Sequence, residues 1–270
     1  MKNFSHIREA IFNEPWAIED NAKKRIEFVI ENAAENFAAG KLEMKPREKP
    51  RLQIMDGVAV IPIEGTIAKR MNMFSEVSGG TSIEQLDQQF TEAMASDSRA
   101  VLFHINSPGG SVMGVPEFAS KVFNARSSGK TILALADGMT ASAAVWIASQ
   151  ADEFYTTEAS TVGSIGVIAS VIDDTRLEKN AGIDRTIIRS SELKGAGNGP
   201  MTPSQFSSIQ TRVNDLFGMF KDSISRARPG MNIETVATGD MWIGVKACEM
   251  GLCDGIATLD SLLAKYGKKN

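Results

Sequence analysis

The stretch Asp137-Gly-Met-Thr-Ala-Ser-Ala-Ala-Val-Trp-Ile-Ala-Ser149 decides the fold, because it predicts a buried strand that changes abruptly into a buried helix. Residues 131–136 form a short apolar run, which is typical of a buried strand. Gly138 supplies the turn, and the alanine-rich run of residues 143–151 predicts the helix. Ser142 stands at this junction, where the first backbone N–H groups of the helix are free to bind an anion. The position suits a nucleophile, although a serine there is more often only a helix cap.

Strands and helices alternate on both sides of this stretch. A long helix begins at the capping box Thr202-Pro-Ser-Gln205 and ends at Arg228-Pro-Gly230. This alternation predicts an α/β fold with right-handed crossovers. The other predicted elements are strands at 57–64, 100–105, 153–157, 167–172 and 185–189, and helices at 82–96, at about 115–127 and from about 173.

The first part of the chain has a different pattern. From residue 17 to residue 39, apolar residues recur at helical spacing with charged residues between them, which predicts an amphipathic helix. Residues 41–51 contain two prolines and many charges, which is typical of an exposed linker. We therefore expect an N-terminal helical appendage with its linker at residues 1–50 and one catalytic-size domain at residues 51–270. Self-cleavage in the linker, giving a new start near residue 50, is a further hypothesis.

The composition is that of an ordinary soluble protein, with 270 residues, a formal net charge of −4 and 43% hydrophobic residues. Nothing in it favours nucleic-acid binding. The longest apolar runs are of strand length, so we expect no transmembrane helix. The charged amino terminus lacks the apolar centre of a signal peptide, which predicts a cytoplasmic protein. Cys248 and Cys253 fit neither a disulfide framework nor a zinc site, so we expect buried reduced thiols.

A serine nucleophile needs a base, and the chain has only two histidines. His6 lies in the N-terminal part, and His104 lies inside the apolar run A-V-L-F-H-I, where we expect a structural role. A Ser-His-Asp triad is therefore poorly supported. The alternative is a lysine whose pKa burial lowers to about 7–8. Lys194 lies among small residues in E-L-K-G-A-G-N-G and fits this requirement, although a solvent-facing loop lysine is the simpler interpretation of that residue alone.

A third segment, Asn106-Ser-Pro-Gly-Gly-Ser111, directly follows a buried strand. Consecutive glycines at such a turn let backbone N–H groups point at a developing negative charge. These donors could share an oxyanion with the N–H group of Ala143. By itself, a Pro-Gly-Gly turn is usually only a turn.

Five segments occur in a fixed order over about residues 57–265. They are N-S-P-G-G-S, D-G-M-T-A-S-A-A, T-V-G-S-I-G-V-I, a lysine in a glycine-rich loop, and W-I-G-V-K-A-C-E-M-G-L-C-D-G-I. In these segments the chain resembles the signal peptide peptidase A (protease IV) family. The resemblance implies an α/β fold of the ClpP/crotonase-like type with repeated ββα units, and a serine endopeptidase with a Ser–Lys dyad. It implies no cofactor and no metal.

The same resemblance implies a role for each matching residue. Ser142 would be the nucleophile and Lys194 the general base. Ser164 of T-V-G-S-I-G would hydrogen-bond to the lysine amine and orient it. The oxyanion would be held by the N–H groups of Gly109 and Ala143, with Gly110 adjacent.

The opening of the chain, including Phe12-Asn-Glu-Pro-Trp16, resembles the soluble phage and prophage branch of that family, the prohead (capsid maturation) proteases. This branch implies cleavage of capsid or scaffold proteins, in the host cytoplasm or in the prohead. The family also implies a ring-like homo-oligomer in which Ser142 and Lys194 complete a site across a subunit interface. Trp242 and the methionine-rich loop at residues 66–81 are candidate contacts in such an interface.

Three other interpretations stay open. The substrates could be cleaved signal peptides, as for a signal peptide peptidase. The chain could instead be an acyl-CoA enzyme of the crotonase-like fold, whose paired backbone donors polarise a thioester and which needs neither Ser142 nor Lys194. It could also be an inactive assembly factor, which the presence of Ser142, Ser164 and Lys194 disfavours.

Overall fold

Parallel strands of apolar sequence form the centre of the protein, whose computed structural model describes residues 15–24, 51–70, 80–171, 173–197 and 199–267. The strands are β1 (Trp16–Ile18), β2 (Gln53–Met55), β3 (Val58–Glu64), β4 (Thr66–Ala68), β5 (Gly80–Ser82), β6 (Ala100–Ser107), β7 (Gly109–Ser111), β8 (Thr131–Ala141), β9 (Glu153–Thr156), β10 (Thr161–Gly163), β11 (Met241–Ile243) and β12 (Gly255–Ile256). The helices are α1 (Ile83–Ala95), α2 (Val115–Ala125), α3 (Ala143–Ala148), α4 (Thr175–Asn180), α5 (Pro203–Ala227), α6 (Ile233–Val236), α7 (Gly244–Glu249) and α8 (Leu259–Tyr266). Residues 20–24 are also helical.

The larger sheet has eight strands and a parallel centre. Strands β10, β8, β6 and β3 lie side by side in parallel, and β11 and β2 pair antiparallel at its two ends. Strand β9 pairs with β8, and β12 pairs with β9. Side chains on both faces of β6 and β8 are buried, which explains why these strands are apolar along most of their length. Because β6 and β8 run parallel, their carboxyl ends meet at one edge of the sheet, and Ser142 directly follows the carboxyl end of β8.

The smaller sheet has the strand order β1-β7-β4-β5 and is built from short strands. Strand β4 follows β3 after one residue, and β7 follows β6 after one residue. Helix α1 comes after β5, and helix α2 comes after β7. Strand β3 is thus followed by two short strands and a helix, and β6 by one short strand and a helix, which confirms the predicted repetition of ββα units in an α/β fold.

Aromatic side chains hold the helices against the larger sheet. The rings of Phe90 and Phe103 lie 5.6 Å apart, and Phe118 packs edge-on against both. On the other side of α2, Trp146 of α3 stacks on Phe220 of α5 with ring centroids 4.3 Å apart. Both rings are buried, so this contact fixes the helix that begins at Ser142. Within the described part of the chain, no helix is both long and apolar enough to cross a bilayer.

Several predicted elements are confirmed with small shifts at their ends. The predicted helices at 82–96 and 115–127 are α1 and α2, the latter followed by a short 3₁₀ turn, Arg126–Ser128. The predicted capping box is present. Gln205 N–H donates to Thr202 Oγ1 at 3.3 Å, and Thr202 N–H donates to Gln205 Oε1 at 3.1 Å.

The predicted strand at 185–189 is wrong. These residues are irregular, and Ile188 is 94% exposed. Thr186, Ile187 and Ile188 are residue types that favour strands, but a strand also needs a neighbouring strand and a face to cover it. The prediction for residues 167–172 is also too long, because pairing in the described part is limited to a bridge between Ile168 and Trp16.

Two local predictions near the central stretch and the N-terminus need correction. Gly138 does not end its strand, since β8 continues to Ala141 with Gly138 at a φ of 111° beside Asn106. The predicted amphipathic helix does not start at Ala17, because residues 16–18 form β1. Its residues from 25 onward, His6, most of the predicted linker and residues 71–79 lie outside the described residues. The boundary at residue 50 stays a prediction.

Candidate active site

Ser142 lies in a single-residue connection between β8 and α3. Its φ is 55° and its ψ is −115°, a conformation that residues with a side chain rarely adopt. The Ser142 N–H donates to the Gly163 carbonyl at 2.8 Å, and its own carbonyl accepts from Trp146 N–H at 2.9 Å. The side-chain Oγ donates to the Gly166 carbonyl at 3.3 Å. Ser142 is fully buried and is not a side-chain cap of α3, so the simple capping interpretation does not account for it.

Gly109 and Ala143 come together beside this serine. A methyl group built on Gly109 would lie 3.0 Å from the Ala143 amide nitrogen and 2.8 Å from the Ala141 carbonyl oxygen. Gly109 has a φ of 90°, and Ser107 Oγ accepts its N–H at 3.2 Å. Ala143 is the first residue of α3, so its N–H lies outside the hydrogen-bond ladder of the helix. The Ala143 amide thus directly follows Ser142 and lies close to Gly109. The assignment of these two amides as oxyanion donors stays a prediction.

Gly110 has a different environment from that of Gly109. It pairs with Ile67 of β4, and a methyl group built on it would lie 1.8 Å from the Ile67 carbonyl oxygen. No side chain fits there without moving the backbone of β4. Gly110 is therefore required for the close approach of β4 and β7, and it lies next to the site as predicted.

Ser164 occupies the matching position on the neighbouring strand. Ala141 and Gly163 are partners in the parallel ladder of β8 and β10, and the two serines follow these residues. Neighbouring strands lie about 4.8 Å apart, so Ser142 and Ser164 are adjacent. Ser164 also has a positive φ, 53°, and its N–H donates to the Asp240 carbonyl at 2.6 Å. The structure thus brings together two buried serines in strained conformations.

Lys194 is not brought into contact with either serine within one chain. It lies in the turns at residues 191–197, and its backbone N–H donates to the Ser191 carbonyl at 3.1 Å. Its side chain is exposed, and its amine has no hydrogen-bond or ion-pair partner among the residues that the structure describes. Its predicted role as the base therefore stays a prediction.

His104 has the structural environment that the sequence predicts. Its Nε2 lies 2.8 Å from Asp137 Oδ2, and the ring is half-buried. His104 pairs in register with Leu135, which precedes Ser142 by seven residues, a separation of about 20 Å along a strand. The pair is thus too far along the sheet to take a proton from Ser142.

The two cysteines are free, and they contact each other. Cys253 is buried as expected, whereas Cys248 is only half-buried. The hydrogen bond from the Cys253 thiol lowers the pKa of Cys248, and the same contact together with burial raises the pKa of Cys253. Within the described ranges no group of three or more metal-binding side chains occurs.

Strand β1 is the part of the site that sequence reasoning missed. Its residues 16–18 run antiparallel to Gly109–Ser111, directly beside the predicted oxyanion donors. The helical spacing of the apolar residues after residue 17 predicted a helix there, and residues 20–24 are indeed helical. The one signal against a helix at the start is Pro15, which disfavours a helical conformation in the residue before it and often marks a boundary.

Comparison with known proteins identifies the family of this chain. Residues 124–270, more than half of the chain, match the model of peptidase family S49. The chain is 29% identical to the head-tail preconnector protein GP5 of Enterobacteria phage P21 and 27% identical to capsid assembly protease C of Escherichia phage lambda. Both alignments cover 94% of this chain, which spans 55% and 63% of the length of those two relatives. It is also 29% identical, over 65% of its length, to half of the probable protease SohB of Haemophilus influenzae.

Solved structures with a related arrangement include two proteases. A ClpP1 mutant from Listeria monocytogenes is 14% identical, with a TM-score of 0.48 over 75% of this chain and 94% of that one. A mutant of the 1510-N membrane-bound stomatin-specific protease is 13% identical, with a TM-score of 0.47 over 81% of this chain and 86% of that one. The family match covers α3 and everything that follows it, including Ser142, Ser164 and Lys194, and the chain belongs to peptidase family S49.

Proposed function

We propose that this chain is a serine endopeptidase in which Ser142 attacks the substrate carbonyl and Lys194 acts as the general base. The single observation that carries the proposal is the geometry at Ser142. A buried serine with a φ of 55° directly precedes the Ala143 amide, and this amide lies beside Gly109. Such strain persists only where the surrounding structure imposes it, and it is common at catalytic nucleophiles.

In this mechanism the neutral amine of Lys194 takes the proton of Ser142 Oγ as the oxygen attacks the peptide carbonyl. The carbonyl oxygen becomes negatively charged and is held by the N–H groups of Gly109 and Ala143. The protonated amine then gives its proton to the leaving nitrogen, and water hydrolyses the acyl-enzyme by the same steps. Loss of one oxyanion donor costs about 100- to 1000-fold in rate, so the two amides are a large part of the catalysis.

The exposed position of Lys194 supports completion of the site by a second subunit. A general base has to lie within hydrogen-bond reach of the hydroxyl that it deprotonates, and among the described residues of one chain the exposed amine of Lys194 makes no such contact. The segment around it carries apolar side chains that have no cover in one chain: Leu177 is 72% exposed, Ile188 94% and Phe206 57%. We infer that a partner chain in a homo-oligomer covers this surface. In that contact, Lys194 of one chain lies beside Ser142 of the other. Ser164 then orients the amine.

The names of two relatives support a substrate class. The phage lambda relative is a capsid assembly protease, and the phage P21 relative is a head-tail preconnector protein. We therefore propose that the substrates are capsid or scaffold proteins of a phage or prophage head, cleaved in the host cytoplasm or inside the prohead. The predicted absence of a cofactor belongs to the same proposal.

Cleavage of a peptide library and of a candidate capsid protein, read by mass spectrometry, tests this function. The variants are Ser142→Ala and Lys194→Ala, with Lys179→Ala as the matched control because Lys179 is also an exposed lysine of the same region. Wild type and the control should cleave, and the other two should lose activity by at least about 1000-fold. Cleavage by Ser142→Ala at the rate of wild type would refute the assignment.

A further inference from the structure

Strand β1 is held on both sides by main-chain hydrogen bonds. On one side, Trp16 exchanges two hydrogen bonds with Ile168, both 2.9 Å long. On the other side, Val112 N–H donates to the Pro15 carbonyl at 3.3 Å, and Glu19 N–H donates to the Pro108 carbonyl at 2.8 Å. These bonds flank the ladder in which Ala17 faces Gly110. Residues 15–19 are therefore seated as an added strand between two chain segments of the site.

The seated strand reaches the point where the oxyanion donors meet. A methyl group built on Gly109 would lie 2.4 Å from the Ala17 carbonyl oxygen and 3.0 Å from the Ala143 nitrogen. The Ala17 carbonyl and the Ala143 amide are thus both within 3.0 Å of one point beside Gly109. A main-chain carbonyl of the protein's own N-terminal segment therefore lies beside Gly109 and Ala143, the two residues to which the proposed reaction assigns the oxyanion.

Buried side chains also hold this strand in place. Trp16, Ala17 and Ile18 are at most 4% exposed, and Ala17 belongs to the main core cluster. After the strand, Lys23 is also buried, and its Nζ donates to Ser170 Oγ at 2.5 Å. Ser142 itself has no exposed surface while the strand is in place. No substrate can reach the serine until some part of this cover moves.

An extended peptide binds to a protein mainly by adding a strand to an exposed sheet edge, through the main-chain bonds that β1 already makes. Two peptides cannot use the amides and carbonyls of Gly109–Ser111 and Ile168 at the same time. A substrate therefore has to compete with a tethered segment, whose effective concentration is high because it belongs to the same chain.

We propose that residues Pro15–Ile18 occupy the peptide-binding groove of the protein's own active site and exclude substrates until the segment leaves. The groove takes extended peptides with a small side chain at the position of Ala17. This inference rests on the proposed function, because it assigns the groove to the substrate of Ser142. If the strand is seated in about nine of ten molecules, its release raises kcat/KM about tenfold.

The test uses the full chain with Ala17→Glu, which places a charged side chain in a buried position and should unseat the strand. Asn21→Glu is the matched control, because it introduces the same residue at an exposed position four residues later. A synthetic peptide of residues 13–20 is also added to Ala17→Glu, with a scrambled peptide as its control. A thermal melt establishes that each variant is folded.

The expected result is that Ala17→Glu cleaves peptides about tenfold faster than wild type and Asn21→Glu. The synthetic peptide should restore inhibition competitively, and its scrambled form should not. A folded Ala17→Glu that cleaves no faster than wild type would overturn the inference, as would a peptide that leaves its rate unchanged.

A second readout separates this inference from the proposed function. Deuterium exchange at the Val112 amide reports the bond to the Pro15 carbonyl, and it is measured with the Ser142→Ala change present in every chain, so that catalysis plays no part. Faster exchange in Ala17→Glu, reversed by the synthetic peptide, supports the seated strand even if no chain cleaves peptides. Equal exchange in Ala17→Glu and wild type would overturn it.

Discussion

Replacing Gly109 by alanine places a methyl group in space that three backbone atoms already fill. The new carbon would lie 2.4 Å from the Ala17 carbonyl oxygen, 2.8 Å from the Ala141 carbonyl oxygen and 3.0 Å from the Ala143 nitrogen. Backbone atoms cannot turn aside as the end of a side chain does, so the turn itself has to shift. A shift of this kind moves both amides that flank Ser142. We expect a loss of about 100- to 1000-fold in kcat/KM, the effect of removing one oxyanion donor.

Gly129→Ala is the matched control. Gly129 has a φ of 86°, close to the 90° of Gly109, but a methyl group built on it meets nothing within 4 Å. Both changes therefore impose a left-handed conformation on alanine, at a cost of about 1–2 kcal/mol in folding free energy. Only the change at Gly109 disturbs the site. Gly129→Ala should keep full activity with a lower unfolding midpoint.

The assay is steady-state cleavage of a fluorogenic peptide at a temperature where circular dichroism shows that both variants are folded. The new methyl group would also push against Ala17, and loosening of β1 by itself would raise activity. A loss of activity in Gly109→Ala can therefore not be attributed to the strand. A folded Gly109→Ala with kcat/KM within about threefold of Gly129→Ala would refute the assignment of the oxyanion site.

Three further predictions concern stability and assembly. Burial raises the pKa of Glu153, but hydrogen bonds from the hydroxyls of two tyrosines and the nearby Lys265 amine outweigh burial and hold the pKa below the usual glutamate value. The ionised carboxylate therefore stabilises the folded protein at neutral pH. This stabilisation is lost as the pH falls through the lowered pKa. Glu153→Gln should cost about 1 kcal/mol in urea unfolding at pH 7 and less in acid, and an equal cost at both pH values would contradict this. Trp146→Ala removes the ring that stacks on Phe220 at 4.3 Å and should cost about 3–5 kcal/mol in the same measurement. The control Phe206→Ala should cost about 0.5 kcal/mol or less, because Phe206 is 57% exposed. Similar costs for the two changes would show that the stack is unimportant. Ile188→Asp should shift the protein toward monomer in light scattering and lower peptidase activity in parallel, and an unchanged mass would exclude Ile188 from the interface.

Sequence patterns within a single segment predicted the helices and strands that depend mainly on contacts close in sequence. Apolar runs predicted the central strands, and the capping box at Thr202 predicted the start of α5 to the residue. Patterns failed where a partner distant in sequence decides the structure. Residues 185–189 include three residues that favour strands, but they pair with no strand in the described part of the chain and stay irregular. Residues 16–18 have helical spacing but pair with residues 109–111, and no local signal contains that contact.

The candidate site divides in the same way. The family resemblance implied that Gly109, Ser142, Ala143 and Ser164 act together, and the structure places them near the carboxyl ends of β6, β8 and β10. The positive φ of the two serines is invisible in the sequence, since it results from packing after the chain has folded. In the proposed mechanism a partner subunit completes the environment of Lys194, and neither the sequence nor the single chain describes that partner.

The most direct test of the dyad is the rate at which a fluorophosphonate probe labels Ser142. The probe reacts only with an activated serine, so it needs no knowledge of the substrate. Intact-protein mass and peptide mapping identify the labelled residue. If Lys194 activates Ser142, wild type and Lys179→Ala should be labelled at the same rate, and Lys194→Ala should be slower by at least about 100-fold. Labelling of Lys194→Ala at the rate of wild type would contradict the Ser–Lys mechanism.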